Sequence, residues 1–553
     1  MREKLHKLFI SRNYLTILAF ILQILFYVVL ATLLIKYSSV IQAIAYILSI
    51  LLAFYILGMK NGSLYVKIPS VILIILFPVF GSCLYFFFHN QRIRKKVKLN
   101  LETQEYATKK INYDANTTFK DLKERNKAVY NMSQYIYKKT NMPVYTNTET
   151  KYFSVGEEYF EDLVIELEKA EKFIFIEYFI IKQGLMWNTV FNILKRKAKQ
   201  GVDVRLLYDD FGCINTLPQG YEKHVRKYGI KCEVFGHISP IATLAHNNRD
   251  HRKIVVIDGV VGFTGGINLS DEYINKWVRF GHWKDTGVMI KGEAVKSFTL
   301  MFLENWHLYE DKNEDYTVFL PKLDIIPTVK QEPKRKFKNL LKKKKDIVPE
   351  EQMSINLPKE SFNPTFPEID DEFVQPYMTT PNDAEEIVAR NVYVNILNSA
   401  LDYVYITTPY LVMDSELEIA VINAAKRGVD VRIITPRIPD KKNVFAVTRS
   451  SYSALIKEGV RIFEYVPGFI HAKNVVADDI VATCGSINFD NRSFYHSYEI
   501  GVFMYNSKAV IDIRKDFIKA QNLSEEVKID FNSKQTLKQK LKTAFWKLFS
   551  PVF

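Results

Sequence analysis

Cysteine is scarce in this chain of 553 residues. Only Cys83, Cys213, Cys232 and Cys484 occur, with no CxxC pair and no Cys/His spacing of the kind that holds a metal. That argues against a disulfide framework or a zinc module and fits a reduced compartment. No convincing metal-ligand cluster of histidines and carboxylates is visible either, so neither a metal nor another cofactor is expected. A small-residue cleavage site is missing after the first apolar stretch, which is also too long for a signal-peptide core and reads as an anchor.

Apolar and basic residues are plentiful. The chain is 48% hydrophobic and 14% aromatic, enough to build sizeable cores rather than a disordered polymer. Its formal net charge is +14, from 75 Lys and Arg against 61 Asp and Glu. That excess calls for an anionic partner: nucleic acid, anionic lipid or a phosphate-bearing substrate.

Three apolar stretches crowd residues 1–90, at about Tyr14–Ile35, Ile41–Leu57 and Pro69–Phe88. Crossing a bilayer takes roughly 20 apolar residues. The first and third qualify on length, and the second, set off by Lys36–Val40, reads as the short arm of a helical hairpin. Arg2, Lys4, Lys7 and Arg12 precede the first stretch, and Arg92, Arg94, Lys95, Lys96 and Lys98 follow the third. Both flanks favour the cytoplasm, which three full spans cannot satisfy. Either one stretch is re-entrant or one flank yields; the larger cluster is expected to place everything after Phe88 in the cytoplasm. Residues 91–150 read as a basic connector.

The body is a duplication. Ala198-Lys-Gln-Gly-Val-Asp-Val-Arg-Leu-Leu matches Ala425-Lys-Arg-Gly-Val-Asp-Val-Arg-Ile-Ile, each after a helix-like stretch and an apolar run, Phe173–Ile181 or Tyr403–Val412. His251-Arg-Lys-Ile-Val-Val-Ile-Asp258 matches His471-Ala-Lys-Asn-Val-Val-Ala-Asp478, and Gly265-Gly-Ile-Asn268 matches Gly485-Ser-Ile-Asn488. The histidines and the glycines are offset alike, 471 − 251 = 485 − 265 = 220. A constant offset means two copies of one α/β unit, residues 151–310 and 374–525, whose motifs meet in one cleft. Residues 311–373 separate them and include the basic run Lys334–Lys345, either a solvated linker or a segment lying on anionic headgroups. Residues 526–553 carry Leu537, Leu541, Ala544, Phe545, Leu548 and Phe549 at helical spacing among lysines, a tail that packs on the body or lies at the membrane interface.

The pattern His-x-Lys-x4-Asp occurs twice, where chance would supply roughly 0.05 copies for the histidines present. His251, Lys253 and Asp258, with His471, Lys473 and Asp478, are therefore the catalytic candidates. In a strand, residues two apart share a face, so each His and Lys should point the same way. Two imidazoles and two ammonium groups in one cleft form a phosphate site. One imidazole can attack phosphorus while the other protonates the leaving oxygen. The lysines neutralise the developing charge, and Asn268 and Asn488 can donate to the phosphoryl oxygens. Asp258 and Asp478 are expected to support the motif's geometry rather than to react.

This duplicated motif resembles the signature of the phospholipase D superfamily. Longer matches resemble bacterial cardiolipin synthases: Asn247–Gly259, Gly281-His-Trp-Lys-Asp-Thr286, Phe469-Ile-His-Ala-Lys473, Ser497-Tyr-Glu-Ile-Gly501, Phe77-Pro-Val-Phe-Gly81 and Phe549-Ser-Pro551. The resemblance implies two α/β/α sandwich halves forming a pseudo-dimer behind N-terminal transmembrane helices. It implies phosphatidyl transfer between two phosphatidylglycerol molecules at a bacterial cell membrane, with anionic lipid rather than nucleic acid as partner. His251 would be the nucleophile and His471 the acid and base. Glu499 would orient His471, and Asp285 would do the same for His251. Hydrolysis by a phospholipase D, transfer from another phospholipid donor, and a lipid-binding membrane scaffold are the alternatives.

Overall fold

The computed structural model describes residues 12–32, 38–59, 64–89, 116–237, 248–308, 314–320, 372–381, 386–528 and residues 544, 546 and 547. The basic flanks of the apolar region other than Arg12, the run Lys334–Lys345 and the terminal Phe549-Ser-Pro551 lie outside them.

Among the described residues the apolar N-terminus forms four helices, Arg12–Thr32, Ser38–Gly58, Leu64–Leu76 and Pro78–His89. Among the described residues one helix, Ser39–Gly58, is long and apolar enough to cross a membrane. The second stretch, read as the short arm of a hairpin, is thus long enough to span, because Ser38, Ser39 and Gln42 join the helix despite their polarity; it is 21 residues, as is the first helix. The third is broken at Phe77, since Pro78 lacks an amide hydrogen and cannot continue the preceding turn. The bend is tight: a Cβ on Gly81 would lie 2.2 Å from the Leu73 carbonyl oxygen. The Phe80 amide, left without an intrahelical acceptor at the new helix start, donates to Gln23 Oε1 at 2.8 Å.

The described residues between 116 and 528 build two large sheets of the same plan, besides two short two-stranded ones. The first runs Thr148–Phe153, Gly287–Gly292, Val261–Gly265, Lys253–Ile257, Phe173–Tyr178, Asp203–Asp209, Lys231–Phe235. The second runs Phe373–Thr379, Ser497–Tyr505, Val481–Gly485, Asn474–Ala477, Tyr403–Thr407, Asp430–Pro436, Arg461–Tyr465, and adds Ser524–Glu526. In both, the first four neighbouring pairs are antiparallel and the next two parallel. The duplication read from the constant offset is thus a duplication of topology. The parallel strands are buried along nearly their whole length, as sheets covered on both faces require.

Helices Gly156–Lys169 and Leu185–Lys199 pack their apolar faces on the outside of the first sheet, and Val388–Ser399 and Ser415–Lys426 do so on the second. Between the sheets lies one shared core. Helix Val295–Trp306 contributes Phe298, Met301 and Phe302, and helix Lys508–Asn522 contributes Val510, Ile513 and Phe517, against residues of both halves such as Ile254, Val288, Val476 and Val502. The halves are therefore one cooperative body, not beads on a linker. The turn Tyr316–Phe319 packs on the first half through Phe319, 5.2 Å from Phe175. In the tail, Trp546 packs beside Val412, Val444 and Val447 of the second half.

Candidate active site

Each His-x-Lys-x4-Asp motif is one strand of a hairpin. Asp258 and Gly259 both take positive φ, 53° and 70°, and Val260 N returns to Ile257 O at 3.0 Å. That is the two-residue turn whose twist matches paired strands and which Asp-Gly favours. Asp478 and Asp479 do the same at 55° and 56°. The Asp258 carboxylate accepts from the amides of Glu171, Lys172 and Phe173 at 2.8, 2.7 and 2.8 Å. Asp478 accepts from Leu401, Asp402 and Tyr403 at 2.8, 3.0 and 2.8 Å. Both aspartates thus fasten the hairpin to the start of the neighbouring strand, at the strand end opposite the histidine, and are not brought to the cleft.

The histidines stand just before their strands, which begin at Lys253 and Asn474, so strand alternation does not govern them. Two short bridges between the halves do. Gly468–Ile470 runs parallel to His282–Lys284, with Ile470 opposite Lys284, and His471 N donates to Lys284 O at 2.7 Å. Arg249–Asp250 runs parallel to Ser497–Tyr498, and His251 N donates to Tyr498 O at 2.9 Å. In each bridge the next residue of one chain segment is a histidine and the next of the other a carboxylate. His471 Nδ1 lies 2.7 Å from Asp285 Oδ2. His251 Nδ1 lies 3.0 and 2.9 Å from the two oxygens of Glu499. The carboxylates are therefore crossed: Asp285 serves His471 and Glu499 serves His251, the reverse of the pairing expected from chain proximity. The cause is the bridge register, which joins each carboxylate to the other half.

Both carboxylates are fully buried. With Nδ1 held, each imidazole presents Nε2 for chemistry. Burial, reinforced by Lys253, Lys473, His471 and Arg492, pushes His251 well below the usual imidazole range. Burial, with Lys473 beside it, lowers His471 to about 4. Both rings are neutral near pH 7. Burial also brings Lys253 down to about 7 and Lys473 to about 8, against the opposing pull of Glu499 and Asp285. Burial pushes Glu499 up to about 8. The cleft thus confines more positive than negative groups away from water, and an entering phosphodiester anion relieves that strain. Lys253 Nζ donates to His251 O at 2.6 Å, and Lys473 Nζ donates to His471 O, fixing both ammonium groups beside the rings.

The asparagines differ. Asn268 is tied to its own half, Oδ1 accepting from Ile180 N at 3.0 Å and Nδ2 donating to Tyr273 Oη at 2.7 Å. Asn488 keeps a buried side-chain oxygen without a partner. Other residues at the site had no role assigned from the sequence, although Trp283, Phe469 and Ser486 lie within the matched segments. Phe179 packs 4.9 Å from the His251 ring, and Tyr273, Trp283 and Phe469 pack 5.7, 5.6 and 5.6 Å from His471. Ser486 Oγ donates to Glu499 Oε2. Its counterpart is Gly266, where a Cβ would meet Asp285 Oδ1 at 2.2 Å, so the one-residue difference between the repeats follows from the position of the carboxylate. Arg492 makes no side-chain hydrogen bond or ion pair among the described residues, yet its charge is felt at His251. Among the described residues no group of three His, Cys, Asp or Glu side chains could hold a metal ion.

Two copies of one α/β unit, meeting so that each supplies a histidine, a lysine and the carboxylate for the other's histidine, define a phospholipase D-like body. The family model described as "Cardiolipin synthase, PLD-like domain" matches residues 163–306 and 393–520. A protein of Streptococcus mutans named only as uncharacterized is 41% identical, over 88% of this chain and 96% of its own length. Proteins named cardiolipin synthase are similar too: one from a Geobacillus species is 30% identical over 88% of each chain, and one from Alkalihalophilus pseudofirmus 28% identical over 92% of this chain and 93% of its own. The crystal structure of a phosphatidylserine synthase of Haemophilus influenzae shares the fold, at 14% identity and a TM-score of 0.54, covering 77% of this chain and all of that one. The chain belongs to the cardiolipin synthase family of phospholipase D-like proteins.

Proposed function

We propose that this chain is a cardiolipin synthase that moves a phosphatidyl group from one phosphatidylglycerol to a second through a phosphohistidine. The observation that carries the reading is the pair of crossed carboxylate–histidine contacts flanked by two buried lysines. His251 Nε2 attacks phosphorus, and the bond from phosphorus to the headgroup glycerol oxygen breaks. His471, which takes up a proton at Nε2 as the anionic phosphodiester enters between the rings, passes it to that oxygen, and glycerol leaves. The free hydroxyl of a second phosphatidylglycerol then gives its proton to His471 and attacks phosphorus from the vacated side. The P–N bond to His251 breaks, and cardiolipin is released. Glu499 and Asp285 hold the Nδ1 hydrogens, so each ring keeps one tautomer throughout. Lys253, Lys473 and Asn488 face the phosphoryl oxygens as charge builds on them.

Water competes for the same intermediate. Holding the acceptor hydroxyl in line supplies effective molarities of roughly 10⁵ M or more, enough for lipid alcohol to win. The anchoring helices and a body on the cytoplasmic face keep acceptor lipid at the cleft. The test is product analysis from phosphatidylglycerol vesicles. Cardiolipin and glycerol in equal amounts, with little phosphatidic acid, are expected. Phosphatidic acid as the main product would make the protein a hydrolase.

A further inference from the structure

One rim of the cleft carries a surface that the transfer chemistry does not use. Residues 276–279, Lys-Trp-Val-Arg, are all exposed, with Trp277 46% and Val278 73% accessible. The loop is held rigidly at its base. Asn275, at a left-handed φ of 52°, ends the turn Asp271–Ile274. Its side chain accepts from Trp283 N at 2.7 Å and donates to Trp283 O at 3.0 Å and Glu157 Oε1 at 2.9 Å. Folding has spent hydrogen bonds on displaying an indole and an isopropyl group to solvent. Single exposed apolar residues are ordinary, but adjacent ones on a fastened tip are not.

The charges displayed at the tip itself are cations, although Lys182 and Arg279 also reach Glu272 below it, at 3.8 and 3.9 Å. Lys182 Nζ sits 3.5 Å over the Trp277 ring, and Lys276 and Arg279 flank the apolar pair in sequence. Of the nearby carboxylates, Glu272 is buried beneath the loop, and Asp271 caps helix Leu185–Lys199 through the amides of Leu185 and Met186 at 2.9 and 2.8 Å. Leu185, also exposed and held by Asp271, extends the apolar rim. From the loop an aromatic path leads inward: Phe280 lies 6.1 Å from Phe469, Phe469 4.9 Å from Trp283, and both 5.6 Å from His471.

We infer that the loop Lys276–Arg279, with Lys182 and Leu185, is the surface by which the body docks on an anionic bilayer, so that lipid passes along the aromatic wall to His471. An indole and aliphatic tip flanked by cations is the chemistry that sits at the headgroup level of anionic membranes. Charge complementarity selects the bilayer over a second copy of this chain, whose net charge is also strongly positive. The inference rests on the proposed lipid substrate but is tested without turnover.

The test uses the full-length protein in vesicles whose phosphatidylglycerol carries brominated acyl chains, which quench tryptophan at the bilayer. Trp187 and Trp306 are buried in the core, and quenching is read on a Trp283→Phe background because Trp283 lines the path to His471, which leaves Trp277 and Trp546 of the five. Quenching should fall by about half or more in Trp277→Phe, and should weaken when brominated phosphatidylcholine replaces the anionic lipid. The double variant Trp277→Ser, Val278→Ser should lose at least about tenfold in turnover on vesicles while keeping its turnover on short-chain phosphatidylglycerol below its micelle concentration. Quenching unchanged in Trp277→Phe overturns the inference. So does an equal loss on monomeric substrate, which would put the loop in the reaction site, or self-association in detergent that the double variant abolishes, which would make the face a subunit interface. Quenching as expected with phosphatidic acid as product would keep the docking surface and sink the proposed reaction.

Discussion

Replacing Asp285 by Asn tests the crossed geometry and the division of labour together. Asp285 Oδ1 accepts from Thr286 N at 2.8 Å, and Oδ2 faces His471 Nδ1 at 2.7 Å. An asparagine keeps its oxygen on the Thr286 amide and turns its NH2 to the imidazole. His471 Nδ1 must then accept, which disfavours the imidazolium, so the ring can neither protonate the leaving glycerol nor take the acceptor's proton. Losing a charge-assisted hydrogen bond costs about 1.5–3 kcal/mol, which is roughly 10- to 150-fold in rate, and the wrong tautomer adds to that. The assay compares two donors, phosphatidylglycerol and a phosphatidyl ester of p-nitrophenol, whose phenolate leaves without a proton. Formation of the covalent intermediate should be slow in Asp285→Asn with the first donor and largely restored with the second. Glu499→Gln, which perturbs His251, should be slow with both. Restoration in Glu499→Gln instead would exchange the roles of the two histidines, and the same behaviour in both variants would refute separate roles.

Gly266→Ser should abolish activity in folded protein, because its Cβ meets Asp285, whereas Ser486→Ala removes one hydrogen bond to Glu499, about 1 kcal/mol and several-fold in turnover. Asp258→Ala strips the acceptor from three amides and leaves a non-glycine residue at positive φ; a loss of about 2–4 kcal/mol in denaturant stability is expected, with the remaining folded fraction still active, and an unchanged midpoint would refute the fastening role. For His471 the folded value of about 4 lies below the unfolded one, so the unfolded chain binds more protons between them. Its contribution is fully present above about pH 6.5 and falls by roughly 3 kcal/mol as pH drops toward 4. The acid decline of the melting temperature should therefore flatten in His471→Asn, and an identical slope would discount the depressed value. Turnover in detergent micelles should survive chelator; complete loss restored by one particular divalent ion would defeat the metal-free mechanism.

Much of the site was legible along the chain. The two motifs and their common offset required two copies of one unit, because a repeated pattern at fixed spacing has no local cause. Asp258-Gly259 is also a readable turn signal, since few residue pairs accept two successive positive φ angles. The break at Pro78 was missed, because hydropathy merges the two arms of the third apolar stretch into one.

The partnership of histidine and carboxylate was not legible. Glu499 follows His471 and Asp285 follows His251 in the chain, and proximity along it suggested each pair. Only the assembled body shows Ile470 beside Lys284 and Tyr498 beside Asp250, and those short parallel bridges carry the next residues together across the halves. Their register is set by the core that both sheets share, a sum of packing contacts between residues hundreds of positions apart. The same holds for the aromatic wall at His471, whose members come from separate segments. The chemistry resides in local patterns, which one-dimensional spacing records; its geometry resides in the packing of one half on the other, which spacing does not.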